Sequence, residues 1–164
     1  MDQQAFNSLY HETHALLYGY VFRLCGDPVL SEDIVQDAYL KYMEKPPREQ
    51  HFKSQKSYLY TIATHKLTDH FRRQQKAKQT GIAMKNIAGH AEQPAIKEAP
   101  DPVIQDVLNS LAANDKMLLW LAYVEGCGHR EIGDILKLKP GSIRVLLFRA
   151  RQRFKDLLQQ KTKK

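Results

Sequence analysis

Apolar residues recur at helical spacing along most of this chain. Ala5, Phe6, Leu9, Tyr10, Leu16, Leu17, Tyr20, Val21 and Leu24 predict a long first helix that ends by Gly26-Asp27-Pro28. A second helix is expected from about Leu30-Ser31, with Ser31 as N-cap and Glu32 and Asp33 favouring the positive end of its dipole. Ile34, Val35, Ala38 and Tyr42 form its inner side, and it stops before Pro46-Pro47. The polar stretch 46–56 predicts a loop. A third helix, about Ser57 to Lys76, is expected to bury Leu59, Ile62, Ala63, Leu67 and Phe71 and to end in a basic run. Three helices with matched apolar stripes can close a small core.

Residues 77–102 break the pattern, with three prolines near their end and no steady periodicity, and predict a flexible linker. Val103, Val107, Leu108 and Leu111 open a second helical segment, and Met117 to Tyr123 predicts another, stopped at Glu125-Gly126. No strand-like alternation of any length occurs. The expected fold is all-α: two small helical domains, 1–76 and 103–164, joined by the linker 77–102.

The segment from Glu131 to Phe154 has the form of a helix-turn-helix. A short helix carries Ile132, Ile135 and Leu136. Leu138-Lys139-Pro140-Gly141 predicts the turn, and a second helix is expected to open near Ser142. In that helix Ile143, Leu147, Ala150 and Phe154 form one stripe to bury. The opposite face presents Val145, Phe148, Arg149 and Gln152, flanked by Arg144. From Lys137 to Lys155 there are seven Lys or Arg and no Asp or Glu. A helix apolar on one side and basic on the other suits a major groove edged by phosphates.

Charge strengthens this picture. The net charge of +7 sits almost wholly in residues 103–164, which hold twelve Lys/Arg against six Asp/Glu. Cys25 and Cys127 lie far apart without a CxxC spacing, which suits a reducing compartment and no disulfide framework. The first residues show neither a basic n-region nor an apolar h-region, and no apolar run approaches a membrane span, so a cytoplasmic protein is expected. His11 and His14 stand near one another without Cys or carboxylates to complete a ligand set, so neither metal nor cofactor is expected. No nucleophile–base pairing or phosphate-binding glycine loop suggests an enzyme.

Two further faces stay ambiguous from spacing alone. Asp33, Gln36, Asp37, Leu40 and Lys41 share one side of the second helix, as a wet surface or as a dock for a basic partner. The third helix mixes Lys66, Arg72, Arg73 and Lys76 with Tyr58, Tyr60 and Phe71, which suits either stacked single-stranded bases or a core with solubilising charges.

Three stretches taken together resemble the extracytoplasmic-function (ECF) sigma factors of bacterial RNA polymerase. They are Glu32 to Tyr42 (EDIVQDAYLKY), Ser57 to Arg73 (SYLYTIATHKLTDHFRR) and Leu108 to Phe154, in family order and spanning most of the chain. The resemblance implies a sigma2-like domain, a linker and a sigma4-like domain. It implies that Asp33, Gln36, Asp37, Leu40 and Lys41 bind the β′ clamp helices of core RNA polymerase. It implies that Phe52, Lys53, Lys66, Asp69, Arg72 and Arg73 act at the promoter −10 element, where a base is flipped and strands part. It further implies that Arg130, Ser142, Arg144, Val145, Phe148 and Arg149 meet the −35 element. The β flap and promoter DNA follow as partners, and an anti-sigma protein is a partner the family allows. The chain departs from the family pattern at His65 (usually Asn), Gly133 (usually Ala), Gly128, Leu146 and Ala122. A helix-turn-helix regulator acting without stable polymerase binding would use only 103–164. A recombinase-like enzyme would need catalytic residues in 1–76, where none is evident.

Overall fold

The computed structural model describes residues 2–81 and 101–163, and every regular element among them is helical. They fall into two compact units, one within Met1–Pro94 and the other within Ala95–Lys164. Most of the expected linker, residues 82–100, lies outside the described residues.

In the first unit, α1 (Gln3–Cys25) ends at Gly26, whose φ of 68° places it in the left-handed region where glycine carries no steric cost. Asp27, not Ser31, caps α2 (Pro28–Glu44): its Oδ1 accepts from the amides of Val29 and Leu30 at 3.0 and 3.1 Å. Pro28 takes the first helical position, where a missing N–H costs nothing. Ser31 is instead buried and donates to the Asp27 carbonyl at 2.6 Å. The expected loop 46–56 is shorter than its polarity suggested, because α3 runs from Phe52 to Gln79. Polar residues lacking periodicity are compatible with helix as well as loop, and here Lys53, Ser54, Gln55 and Lys56 continue the helix that Phe52 opens.

The three helices pack on one another around Leu17, Tyr20, Val21, Ile34, Val35, Ala38, Tyr42, Leu59, Ile62, Ala63 and Leu67, all buried. Each fully buried Val, Leu or Ile side chain is worth about 1.5–3 kcal/mol. Phe71, expected in this core, is only half-buried. Two buried hydroxyl pairs tie the helices: Thr13 to Tyr39 at 2.6 Å between α1 and α2, and Tyr20 to Thr64 at 2.7 Å between α1 and α3. Such pairs satisfy polar groups that would otherwise be costly to bury.

The second unit is organised on α7 (Pro140–Thr162), against which α4 (Pro102–Ser110), α5 (Ala113–Leu119) and α6 (His129–Leu136) pack. The helix expected over Met117 to Tyr123 is α5 continued by a π-helical turn, Trp120–Val124, and Gly126 (φ 66°) ends it. Pro140-Gly141 does not separate the two helices as expected; both residues lie inside α7, with Pro140 in its first turn. The reversal is made by Lys137, in the left-handed region at φ 55°, and by the Leu138 amide donating to the Gly133 carbonyl at 2.8 Å. A Cβ on Gly133 would stand 2.8 Å from the Leu138 carbonyl oxygen. That close approach explains the glycine.

Candidate functional site

Along α2, Asp33, Gln36, Asp37, Leu40 and Lys41 are all exposed, while Ile34, Val35, Ala38 and Tyr42 are buried. Leu40 leaves 54% of its surface in solvent, a large apolar side chain set among polar neighbours. Beside it lies a groove of about 230 Å³ between α1 and α2, lined by Tyr10, His14, Tyr39, Leu40 and Met43 among others. The aromatic side of that groove was not foreseen, since it needs α1 to be placed against α2. The His14 ring lies tilted against that of Tyr10 with centroids 4.6 Å apart, and its partial burial lowers its pKa against the opposing pull of Glu32.

The residues expected on α3 do not form one cluster. Phe52 and Lys53 are exposed in its first turn, whereas Arg72 and Arg73 are exposed about 30 Å further along the same helix. Lys66 lies between them and donates to Asp37 Oδ2 at 2.9 Å, so it is engaged with the α2 face. Arg72 approaches Asp69 at 3.6 Å, and both side chains are largely exposed. Before α3 the turn is tied locally: Ser54 Oγ donates to Glu49 at 2.9 Å and meets His51 Nε2 at 2.9 Å.

On α7 the stripe Ile143, Leu147 and Ala150 is buried, and Phe154 is half-buried. The reverse face carries Val145 and Phe148, 49% and 54% exposed, with Arg144, Arg149 and Gln152 exposed around them. Ser142, half-buried, donates its hydroxyl to the Lys139 carbonyl at 2.7 Å and so helps to close the first turn. Arg130 stands exposed in the first turn of α6. Not every cation of α7 is available to a ligand. Arg153 Nη1 donates to both carboxylate oxygens of the buried Asp115 at 2.9 Å, and Lys161 pairs with Asp106. No local pattern signals these pairs, whose members stand 38 and 55 positions apart.

Burial pushes the Cys25 thiol pKa up and so disfavours the reactive thiolate, an effect partly opposed by its contact with Ser31 at 3.2 Å. Among the described residues no group of three or more His, Cys, Asp or Glu could hold a metal ion. None of the described helices is long and apolar enough to cross a membrane.

Against known proteins, residues 9–77 match Sigma-70 region 2 and residues 103–154 match Sigma-70, region 4. The chain is 26% identical to the ECF RNA polymerase sigma factor SigL of Mycobacterium tuberculosis, over 93% of this chain and 88% of that protein. It is also 26% identical to SigM of Bacillus subtilis, over 86% and 87% respectively. Among solved structures, the sigma factor RpoE in complex with the anti-sigma factor NepR from Bartonella quintana aligns with a TM-score of 0.74 at 22% identity, covering 94% of this chain and 96% of that one. CnrH in complex with the cytosolic domain of CnrY aligns at 0.66 and 18% identity, covering 97% and 90%.

Proposed function

The chain belongs to the sigma-70 family as an RNA polymerase sigma factor of the extracytoplasmic-function type, and from that premise we propose how its residues divide the work of initiation. It is a dissociable, non-catalytic subunit that lends promoter recognition to core RNA polymerase. The α2 face, Asp33, Gln36, Asp37, Leu40 and Lys41, docks on the β′ clamp helices. Phe52 and Lys53 at one end of α3 hold an unstacked −10 base, while Lys66, Asp69, Arg72 and Arg73 follow the parted strand; cations and rings suit single-stranded DNA. The α7 face meets the −35 duplex through Arg144, Val145, Phe148 and Arg149, with Ser142 and Arg130 beside them.

The observation that carries this division is the exposure of every member of the α2 stripe, Leu40 included. A helix-turn-helix regulator acting without polymerase would leave that face idle. An anti-sigma protein is a further proposed partner, since one structural neighbour is held by such a protein. Mixing the purified chain with core polymerase is the test. A co-eluting holoenzyme that starts transcription at a defined promoter is the expected result; DNA binding with no holoenzyme would overturn it.

A further inference from the structure

On α7, Arg144, Phe148, Arg151 and Lys155 follow one another at spacings of four, three and four, so they form a single row along one edge of the helix. Arg151 Nη1 in this row donates to the hydroxyl of Tyr123, in the π-helical turn, at 2.7 Å. The contact is made in the open: Tyr123 is 61% exposed and Arg151 is exposed. Arg153, two residues on, spends its charge on Asp115, whereas Arg144, Arg151 and Lys155 meet no carboxylate among the described residues. The three cations of the row are therefore uncompensated by carboxylates, and one of them is oriented by a phenol.

We propose that Arg151 and Tyr123 form a phosphate clamp that grips the DNA backbone at the rim of the groove entered by α7. The inference rests on α7 being the groove helix. Arg151 lies about 16 Å along α7 from Pro140, while a major groove is only about 12 Å wide. With the N-terminal turns of α7 among the base edges, Arg151 reaches the place where the helix leaves the groove, and there it meets phosphate rather than base. The chemistry fits one anionic oxygen pair. Arg151 gives one N–H to Tyr123 and keeps four, and because the phenol oxygen accepts, the phenol proton is free to be donated outward. A guanidinium so held loses less freedom on meeting phosphate than a free one.

The test uses holoenzyme assembled from the full chain and core polymerase, binding promoter duplexes drawn from a randomised −35 selection, across a salt series. Arg151→Ala should weaken every −35 sequence alike, by several-fold, and lower the slope of log affinity against log salt by about one. Arg151→Lys should restore the slope but not the full affinity. Tyr123→Phe should cost a smaller factor with the slope unchanged, since it removes a donor and no charge. A single methylphosphonate in the duplex should weaken the wild type yet leave Arg151→Ala indifferent. The clamp is overturned if Arg151→Ala lowers only the melting temperature, if it changes base preference at one position, or if it impairs holoenzyme assembly with DNA affinity intact, the mark of a protein partner. Should Arg144→Ala and Arg149→Ala also be silent on DNA, the assignment of α7 to the groove fails first; silence at Arg151 alone sinks only the clamp.

Discussion

Lys66 of α3 donates to Asp37 of α2 at 2.9 Å, which joins the face assigned to polymerase to the helix assigned to the opened strand. Both side chains are more than one-third exposed, so the pair adds about 0–1 kcal/mol to stability. Its interest lies in what each residue can still do. Asp37 has a second oxygen for a basic partner. Lys66 is free for DNA only when that ion pair opens.

Asp37→Lys with Gln36→Ala should weaken holoenzyme formation by at least tenfold while the isolated chain keeps its helicity. Lys66→Gln serves as the control, because it breaks the same ion pair without touching the α2 face. By gel filtration with core polymerase, Lys66→Gln should assemble almost normally. Equal defects in the two variants would mean that the ion pair shapes the surface and that Asp37 itself makes no contact.

Arg72 and Arg73 are expected to act in strand opening. They stand exposed near the far end of α3, and Arg73 meets no carboxylate among the described residues. Replacing both by Ala should leave closed-complex formation within about twofold and sharply reduce permanganate-reactive thymines near the start site. Parallel loss of both signals would reduce the two residues to general electrostatic attraction.

Arg144 and Arg149 flank Val145 and Phe148 on the exposed face of α7, opposite Ile143, Leu147 and Ala150. An arginine bidentate to a guanine edge discriminates by about 1–3 kcal/mol, whereas a phosphate contact weakens all sequences alike. Selection of −35 sequences with each Arg→Ala variant should therefore show relaxed preference at a defined base for at least one of them. Uniform loss in both would assign −35 preference to DNA shape instead.

Gly133→Ala should destabilise the second unit although alanine is the better helix former. The new methyl would meet the Leu138 carbonyl oxygen at 2.8 Å, and that atom is backbone in the tight reversal after α6. Overpacking of this kind costs about 1–3 kcal/mol, which over most of that range exceeds the roughly 1 kcal/mol gained in helix propensity. Urea denaturation of the variant reads the sign directly; a rise in stability would show that the turn can relax.

Much of the fold was legible because its information is local. A helix that buries one side must repeat apolar residues every three or four positions, so the buried rows of α1, α2, α3 and α7 could be traced along the chain. Their complements, the α2 stripe and the basic α7 face, followed as what was left outside. Element starts were less legible. Pro28 and Pro140 look like breaks but open helices, and the polar run after Phe52 belongs to α3 although it carries no periodic mark.

The sequence by itself determined that the chain is helical, which faces turn inward, where positive charge accumulates and which family it resembles. Only the tertiary structure decided which charges are already spent. Arg151 and Arg153 are the same residue type two positions apart, yet one meets a phenol in solvent and the other a buried carboxylate. Helix periodicity sets the direction of each side chain; the partner it finds there depends on which other helix crosses α7 and at what height. Lys66 and Asp37, 29 positions apart, are matched for the same reason, because α2 and α3 pack side by side. Such pairings arise from packing between distant segments, and no local spacing encodes them.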